Sequence, residues 1–482
     1  MIRRYSYQSL RFLLFLLSCV GPEKFWPTCI VDHSLAEGFS QPDGIGGVMS
    51  PMDLHTSFFG HHTSKQSCAH IVNVGKPRPL RVSITDFGAV GDGKTLNTKA
   101  FENALQYLHS NADSDGAQLT IPAGRWLTGS INLISHLTLF LENGANILGS
   151  EDFNDYPIIP ELPSYGRGRE LPGARYSSLI NGDNLEDVTI TGENGTIDGQ
   201  GGVWWKAFRN KTLDYSRSHV LELIGSQDIL IFNLTFQNSP SWTIHPVYCK
   251  NVVIKNLTVL NPNDSPNTDG IDPDSSQHVC IEDCYISVGD DAISIKSGWD
   301  QYGISYGMPS KHIQIRRIVS ASKTFGIHAG VSFGSEMSGG ISNVKVDDMV
   351  LYGARWGVRF KTSPGRGGYI KHVAVHNLLL HSVKTAVAFM ANYGQHPDDN
   401  WNRTAYPVIE NIVIKNIVGE NITQAGILQG LPESPFRHIH LKTIALDVRS
   451  TKNVWNCSWV SGSYFFVVPQ PCADLTRQNI TL

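Results

Sequence analysis

From residue 185 onward a short pattern of polar and apolar positions returns at intervals: one polar residue, then apolar, any, apolar. It reads Asp187-Val-Thr-Ile190, Asp228-Ile-Leu-Ile231, Asn251-Val-Val-Ile254, His278-Val-Cys-Ile281, His312-Ile-Gln-Ile315, Asn343-Val-Lys-Val346, His372-Val-Ala-Val375, Asn411-Ile-Val-Ile414 and His438-Ile-His-Leu441. Further apolar residues such as Leu234, Leu257, Ile318, Met349, Leu378 and Ile417 continue it three positions on. The nine units recur at 23 to 41 residues, with insertions between them. Apolar residues at spacing two suit strands whose alternate side chains point inward, and a period of this length suits a parallel β-solenoid. A leucine-rich repeat would need its Leu/Asn signature and a propeller four strands per unit. The expected fold is therefore all-β, a parallel β-helix with inward residues stacked from coil to coil and corner Asn and His residues forming a polar ladder.

Ahead of the repeats, Val82-Ser-Ile-Thr-Asp-Phe87 alternates like a short strand, and Gly91-Asp92-Gly93 signals a turn. A helix follows over 98–109, with Asn97 as its N-cap and Phe101, Ala104, Leu105 and Leu108 on one apolar stripe. A solenoid's first coil would expose an open apolar cross-section, so this helix is expected to cap the N-terminal end. Residues 22–80 show no periodicity. They carry His61, His62, Cys68 and His70 and are read as an irregular lead-in without chemistry. The β-helix is expected over 81–465, with 466–482 as a C-terminal tail.

A second register follows each unit on another face. Trp242-Thr-Ile-His-Pro246, Asp269-Gly-Ile-Asp-Pro273, Asp291-Ala-Ile-Ser-Ile295, Ala329-Gly-Val-Ser-Phe333, Trp356-Gly-Val-Arg-Phe360 and Thr385-Ala-Val-Ala-Phe389 align with an apolar third position throughout. Matched positions on successive coils lie about 4.8 Å apart. Asp269 and Asp291 become vertical neighbours, Asp290 lies beside them, His328 falls one coil beyond Asp290, and Arg359 and Lys361 follow on the next coil. Three carboxylates so crowded should repel, which raises at least one pKa and leaves a proton donor beside an ionised base. That division of roles is what glycosidic hydrolysis needs. The neighbouring Arg and Lys suit a carboxylate, the one as a planar fork and the other as a point charge. Lys296 and the pair Arg316-Arg317 are expected to extend this positive track.

Charged residues make up 17% of the 482-residue chain and the net charge is −4, so the phosphate attraction that nucleic-acid binders rely on is missing. Arg3-Arg4, Arg11 and the apolar run Phe12–Leu17 have the order of a secretory signal over 1–21, too short to span a bilayer; no membrane association is expected once it is removed. A signal anchor left in place is the alternative. Nine Asn-x-Ser/Thr sequons fit a secreted glycoprotein: Asn194, Asn210, Asn233, Asn256, Asn263, Asn402, Asn421, Asn456 and Asn479. Outside the signal the cysteines are Cys29, Cys68, Cys249, Cys280, Cys284, Cys457 and Cys472, and Cys457–Cys472 is the expected disulfide. Cys280-x-x-x-Cys284 has no second Cys/His pair, so no metal is expected.

The same segments carry a resemblance. Ser265-Pro-Asn267-Thr-Asp269, Gly289-Asp290-Asp291, the His328 segment through Gly334-Ser335, and Arg359-Phe-Lys361, in that order and spacing, resemble the four motifs of family 28 glycoside hydrolases, the polygalacturonases. The likeness covers roughly residues 80 to 465. It implies a right-handed β-helix, no cofactor, and inverting hydrolysis of the α-1,4 bonds of polygalacturonic acid in pectin by a secreted, monomeric cell-wall enzyme. Residue by residue, it implies Asp290 as general acid, Asp269 and Asp291 as activators of water, and Arg359 and Lys361 as partners of the sugar carboxylate. Asn267 is implied as a substrate contact, His328 as a support for the protonated acid, and Tyr393 of Ala391-Asn-Tyr-Gly394 as the family's substrate tyrosine. Many members have Gly-His-Gly where this chain has Gly326-Ile-His328-Ala-Gly330. Aligned backward from Gly334-Ser335, the histidine sits where exo-acting bacterial relatives place theirs, and Phe333–Gly340 resembles that branch. The expectation leans toward exo action.

Other readings stand beside this one. A rhamnogalacturonan or xylogalacturonan hydrolase would share the fold and the Asp290-Asp291 pair, although the intact Asn267-Thr-Asp269 favours homogalacturonan. A pectate lyase would need calcium held by carboxylates and an arginine base. An inactive wall-binding solenoid would keep the face and lose the acid, whereas all three aspartates are present.

Overall fold

The computed structural model describes Cys68 and residues 78–322, 328–450 and 452–478. Strands stack in parallel into a broad 17-stranded sheet and two narrow sheets of four and six strands. The bridges Ile244–Ile271–Ile293 and Val247–Asp274–Lys296 join the narrow sheets into one continuous face. This is the expected right-handed parallel β-helix. Val188, Ile229, Val252, Val279, Ile313, Val344, Val373, Ile412 and Ile439, the first apolar residues of the nine repeats, pair in unbroken register. None is more than 2% exposed. Behind the narrow face Phe333, Phe360 and Phe389 stack with ring centroids 4.5 and 4.1 Å apart, so apolar burial continues from coil to coil.

The polar residue that opens each repeat has a conformational cause. All nine have φ between 54° and 58°, the left-handed region in which the chain turns a corner and which Asn, Asp and His enter more readily than other side chains. A second left-handed corner follows five residues later, at Asn233, Asn256, Asp283, Arg317, Asp348, Asn377 and Asn416. The expected ladder exists on both columns: Asn251 donates to Asp228 at 2.9 Å, Asn377 to Asp348 at 3.0 Å and Asn416 to Asn377 at 3.1 Å, while the His278 and His312 rings stack at 4.9 Å.

Several expectations need correction. The strand at Val82 stops at Ser83, and Ile84–Phe87 forms a 3-10 turn because the Ser83 and Asp86 side chains cap each other's backbone. The helix spans Thr98–Asn111 and buries its predicted stripe against the first coil, but Asn97 makes no side-chain cap; its amide binds the Val90, Thr95 and Leu127 backbone instead. The solenoid, expected from residue 81, has coils ahead of the first repeat, with Ala117–Ile121 and Leu137–Leu141 paired beneath Glu186–Gly192. It also outlasts residue 465, since Val460–Val468 and Leu475–Arg477 still pair in the broad sheet. Cys457–Cys472 forms as expected, and a second disulfide joins Cys68 of the lead-in to Cys280. Cys249 and Cys284 are buried thiols, pushed up to about 12 by burial. Arg316 and Arg317 lie on the broad sheet, paired with Glu282 and Asp283, and extend no track toward the narrow face. The signal segment, Cys29, His61, His62, His70 and Asn479 fall outside the described residues, among which no helix is long and apolar enough to cross a membrane.

One insertion matters for the site. Between Ile158–Ile159 and Arg175–Tyr176, which pair antiparallel, the chain arches over the narrow face. On one flank Glu170 and Leu171 donate their backbone N–H groups to Ser216 Oγ. On the other, Ser164 binds Tyr248 and accepts from the Trp299 N–H at 2.8 Å, and Arg167 donates to the Pro397 carbonyl at 2.6 Å. Beneath the arch Leu162 and Tyr165 pack with Trp242, Val247 and Trp299.

Candidate active site

The loop 261–268 delivers the chain into the narrow face at Asp269. Pairing of Ile271 with Ile293 sets Asp269 beside Asp291, and pairing of Ile293 with Val331 sets Asp290 beside His328. Backbone hydrogen bonds tie the same rungs: Gly270 N–H donates to the Asp291 carbonyl at 3.0 Å, His328 N–H to that of Asp290 at 3.1 Å, and Trp356 N–H to that of His328 at 2.8 Å. One strand on, Ser332 pairs with Arg359. Gly289 is required here, since a Cβ would lie 2.2 Å from the Ser265 carbonyl. Its absence lets the Asn267 loop close down over the aspartates.

The carboxylates part company electrically. Burial and the Asp290 charge push Asp269 up to about 7, against the opposing pull of Lys296, 3.5 Å away. For Asp291, burial works in the same direction, but Lys361 at 2.8 Å, with Arg359 and His328, outweighs it and holds the group well below the ordinary carboxylate range. Burial pushes Asp272, 3.7 Å from the same Lys296, well above its ordinary range too, so the site favours the proton on Asp269 and Asp272 and an ionised carboxylate at Asp291. Asp290 is half-buried, with the His328 ring nitrogen 2.8 Å from its Oδ1. Burial tends to discharge His328, yet the hydrogen bond to Asp290 outweighs it and raises the pKa of the imidazole.

A cavity of about 460 Å³ opens over this cluster, lined by Asn267, Asp269, Asp290, Lys296, Lys361 and Tyr393, with Arg167, Arg169, Arg217, His219 and Trp242 toward the arch. Arg359 lies behind its wall, stacked 3.8 Å above the Trp356 ring and 5.5 Å from that of Tyr393. Asp291 is fully buried, one oxygen held by Lys361 and the other without a hydrogen bond. All eight expected residues therefore converge: five line the cavity, while His328 contacts Asp290, Asp291 pairs with Lys361 and Arg359 lies over Trp356. Asp290, Asp291 and His328 are close enough to share a cation, and here Lys361 pairs with Asp291 and His328 with Asp290. His219, Glu222 and His245 are likewise clustered, and there Arg175 occupies Glu222.

The family described as "Glycosyl hydrolases family 28" matches residues 117–468, which takes in the whole site. This chain belongs to that family. A "Probable polygalacturonase" of Vitis vinifera is 49% identical to this family 28 enzyme over 404 residues, covering 83% of this chain and 82% of that protein. The crystal structure of an exopolygalacturonase from Thermotoga maritima is 26% identical with a TM-score of 0.68, covering 83% and 92%. A polygalacturonase from Erwinia carotovora, 21% identical with a TM-score of 0.62 over 85% and 98%, shares the fold. The chain is accordingly a glycosidase.

Sequence reasoning missed Trp242, His219, Glu336, Arg169 and Arg217 at the cavity. Trp242 was within reach, because it occupies the column of Asp269 and Asp291. Lys296 Nζ lies 4.1 Å over its ring and within 3.7 Å of Asp272 and Glu336. Burial alone would raise the pKa of Glu336, but Arg169 and Lys296 hold it far below its ordinary range. Arg169 comes from the arch, for which the repeat pattern holds no signal.

Proposed function

We propose that this family 28 enzyme is a secreted polygalacturonase that hydrolyses the α-1,4 bonds of polygalacturonate with inversion, working from one end of the chain. The observation that carries the reading is the three-aspartate cluster that keeps one proton near neutrality beside an ionised Asp291. Asp290, nearest the cavity, gives a proton to the oxygen of the departing sugar, and the proton shared with Asp269 and the His328 imidazolium keep it supplied. Water then adds to the anomeric carbon as the glycosidic bond breaks, and its proton goes to Asp291, with Asp269 holding the water in line. Lys361, with Tyr393 beside it in the cavity lining and Arg359 behind, receives the carboxylate that every unit of this polymer carries, and Asn267 contacts the sugar from the loop above.

End-wise action is supported by the arch, which is anchored on both flanks of the narrow face and brings Arg167, Arg169 and Glu170 into the cavity lining on the N-terminal side of Asp269. Secretion is supported by the N-terminal apolar run and by two disulfides, which persist in oxidising compartments. The test is incubation of the purified enzyme with polygalacturonate while viscosity and product sizes are followed. Monomer accumulating while viscosity stays high is the expected result. Rapid viscosity loss at low bond cleavage refutes end-wise action, and an unsaturated, ultraviolet-absorbing product refutes hydrolysis.

A further inference from the structure

Arg217 lies on neither face pattern and belongs to no motif, yet its side chain is fully buried between the arch and the loop that carries Asn267. Its guanidinium donates to the Pro240 and Pro266 carbonyls at 2.8 Å each, to Asn267 Oδ1 at 2.9 Å, and through Nε and Nη2 to the Glu170 carboxylate. Arginine has only donors, so the Asn267 atom facing it must be the oxygen. The Asn267 NH₂ is thereby turned away from Arg217, and Asn267 itself lines the cavity. Asn267 also holds φ at 55°, a left-handed turn whose side chain would otherwise have two amide orientations open to it. Glu170, the fourth partner, belongs to the arch.

We infer that Arg217 is a positioning residue: it presents the Asn267 amide to the substrate as a hydrogen-bond donor, and through Glu170 it locks that contact to the arch closing the cleft. The inference rests on the polygalacturonase reading and deepens it. A hydroxyl or carboxylate oxygen of the bound galacturonate meets a donor whose direction is set before binding, which saves the cost of ordering it in the complex.

The experiment is a double-mutant cycle in kcat/KM on polygalacturonate, with melting temperatures recorded for every variant. Arg217→Met and Asn267→Ala should each lower kcat/KM by about 10- to 100-fold, the size expected for losing a charge-assisted contact or what it orients. If Arg217 acts through Asn267, the double variant should be no worse than the poorer single, since coupled residues are not additive. Arg217→Lys keeps the buried charge without the fork and carries the same cycle if the Met variant fails to fold. Glu170→Gln unlocks the arch alone and should let oligomers appear among the products. A purely structural Arg217 would lower the melting temperature, and its loss would add to that of Asn267→Ala. Additive losses, or product lengths in Glu170→Gln identical to wild type, overturn the inference while the function stands. A wild-type enzyme inert on polygalacturonate overturns both.

Discussion

Asp269 should make the protein less stable, and the penalty should depend on pH in a direction the structure dictates. The residue is 3% exposed and its carboxyl is pushed up to about 7, first by burial and then by Asp290. A carboxyl raised from 3.8 in the unfolded chain favours the proton in the folded one. Below about pH 3.8 both states are protonated and no penalty exists; as the pH rises toward 7 the penalty grows, and above 7 it is borne in full. A shift of about three pK units at about 1.4 kcal/mol each sets a ceiling near 4 kcal/mol. Asn in this place mimics the protonated acid at every pH. Lys296 loses one carboxylate partner in that variant but keeps Asp272 and Glu336, which reduces the net gain to roughly 1–3 kcal/mol. Thermal melts of wild type and Asp269→Asn at pH 4 and 7.5 are the assay. The variant should melt roughly 1–3.5 °C above wild type at pH 7.5 and within about 0.5 °C of it at pH 4. A variant that melts lower at pH 7.5, or gains equally at both values, would refute the reasoning that burial strains this group.

Two further outcomes follow from the site. Asp290→Asn should reduce hydrolysis by at least about 10²-fold, because an amide cannot protonate a leaving oxygen, while oligogalacturonate binding measured by calorimetry persists; more than half the parent rate would exclude Asp290 as the acid. Lys361→Met should be more damaging than Arg359→Met in both kcat/KM and melting temperature, since Lys361 lines the cavity and is the partner of the fully buried Asp291, whose charge would be left unpaired.

Much of this was legible in the chain because a solenoid turns a three-dimensional question into one of alignment. Once Ile271, Ile293 and Val331 are matched, Asp269, Asp291, Asp290 and His328 fall on neighbouring rungs, and the paired strands carry that register unchanged. The corner residues were equally readable, since a left-handed turn selects Asn, Asp or His irrespective of what lies elsewhere. What stayed hidden has no period. The arch over 160–175 is an insertion between coils, so Arg169 and Glu170 meet residues 167 and 47 positions away with nothing local to announce it. Cys68 is the same case, a residue in an aperiodic lead-in whose partner is 212 positions on. Asn97 shows the reverse, a proper helix-capping residue diverted by backbone groups that only the folded first coil brings near.

Charge counting along the sequence suggests that the three aspartates repel one another, and the structure shows why the repulsion is tolerated and useful. Each acid is met by a basic side chain from a different coil: Asp269 by Lys296, Asp291 by Lys361 and Asp290 by His328. These partners are 27, 70 and 38 positions apart, but the coil step of about 4.8 Å brings them to hydrogen-bonding or near-contact range. The pairings are unequal, because Lys361 touches its aspartate at 2.8 Å while Lys296 is shared among Asp269, Asp272 and Glu336 at 3.5 to 3.7 Å. A divided cation leaves Asp269 and Asp272 undercompensated and both are pushed up, whereas Glu336 has Arg169 as well and Asp291 has Lys361, so those two stay low. The asymmetry between proton store and ionised base is thus produced by spacing along rigid rungs. It needs no movement when substrate arrives, which is the condition under which electrostatic preorganisation lowers a barrier most.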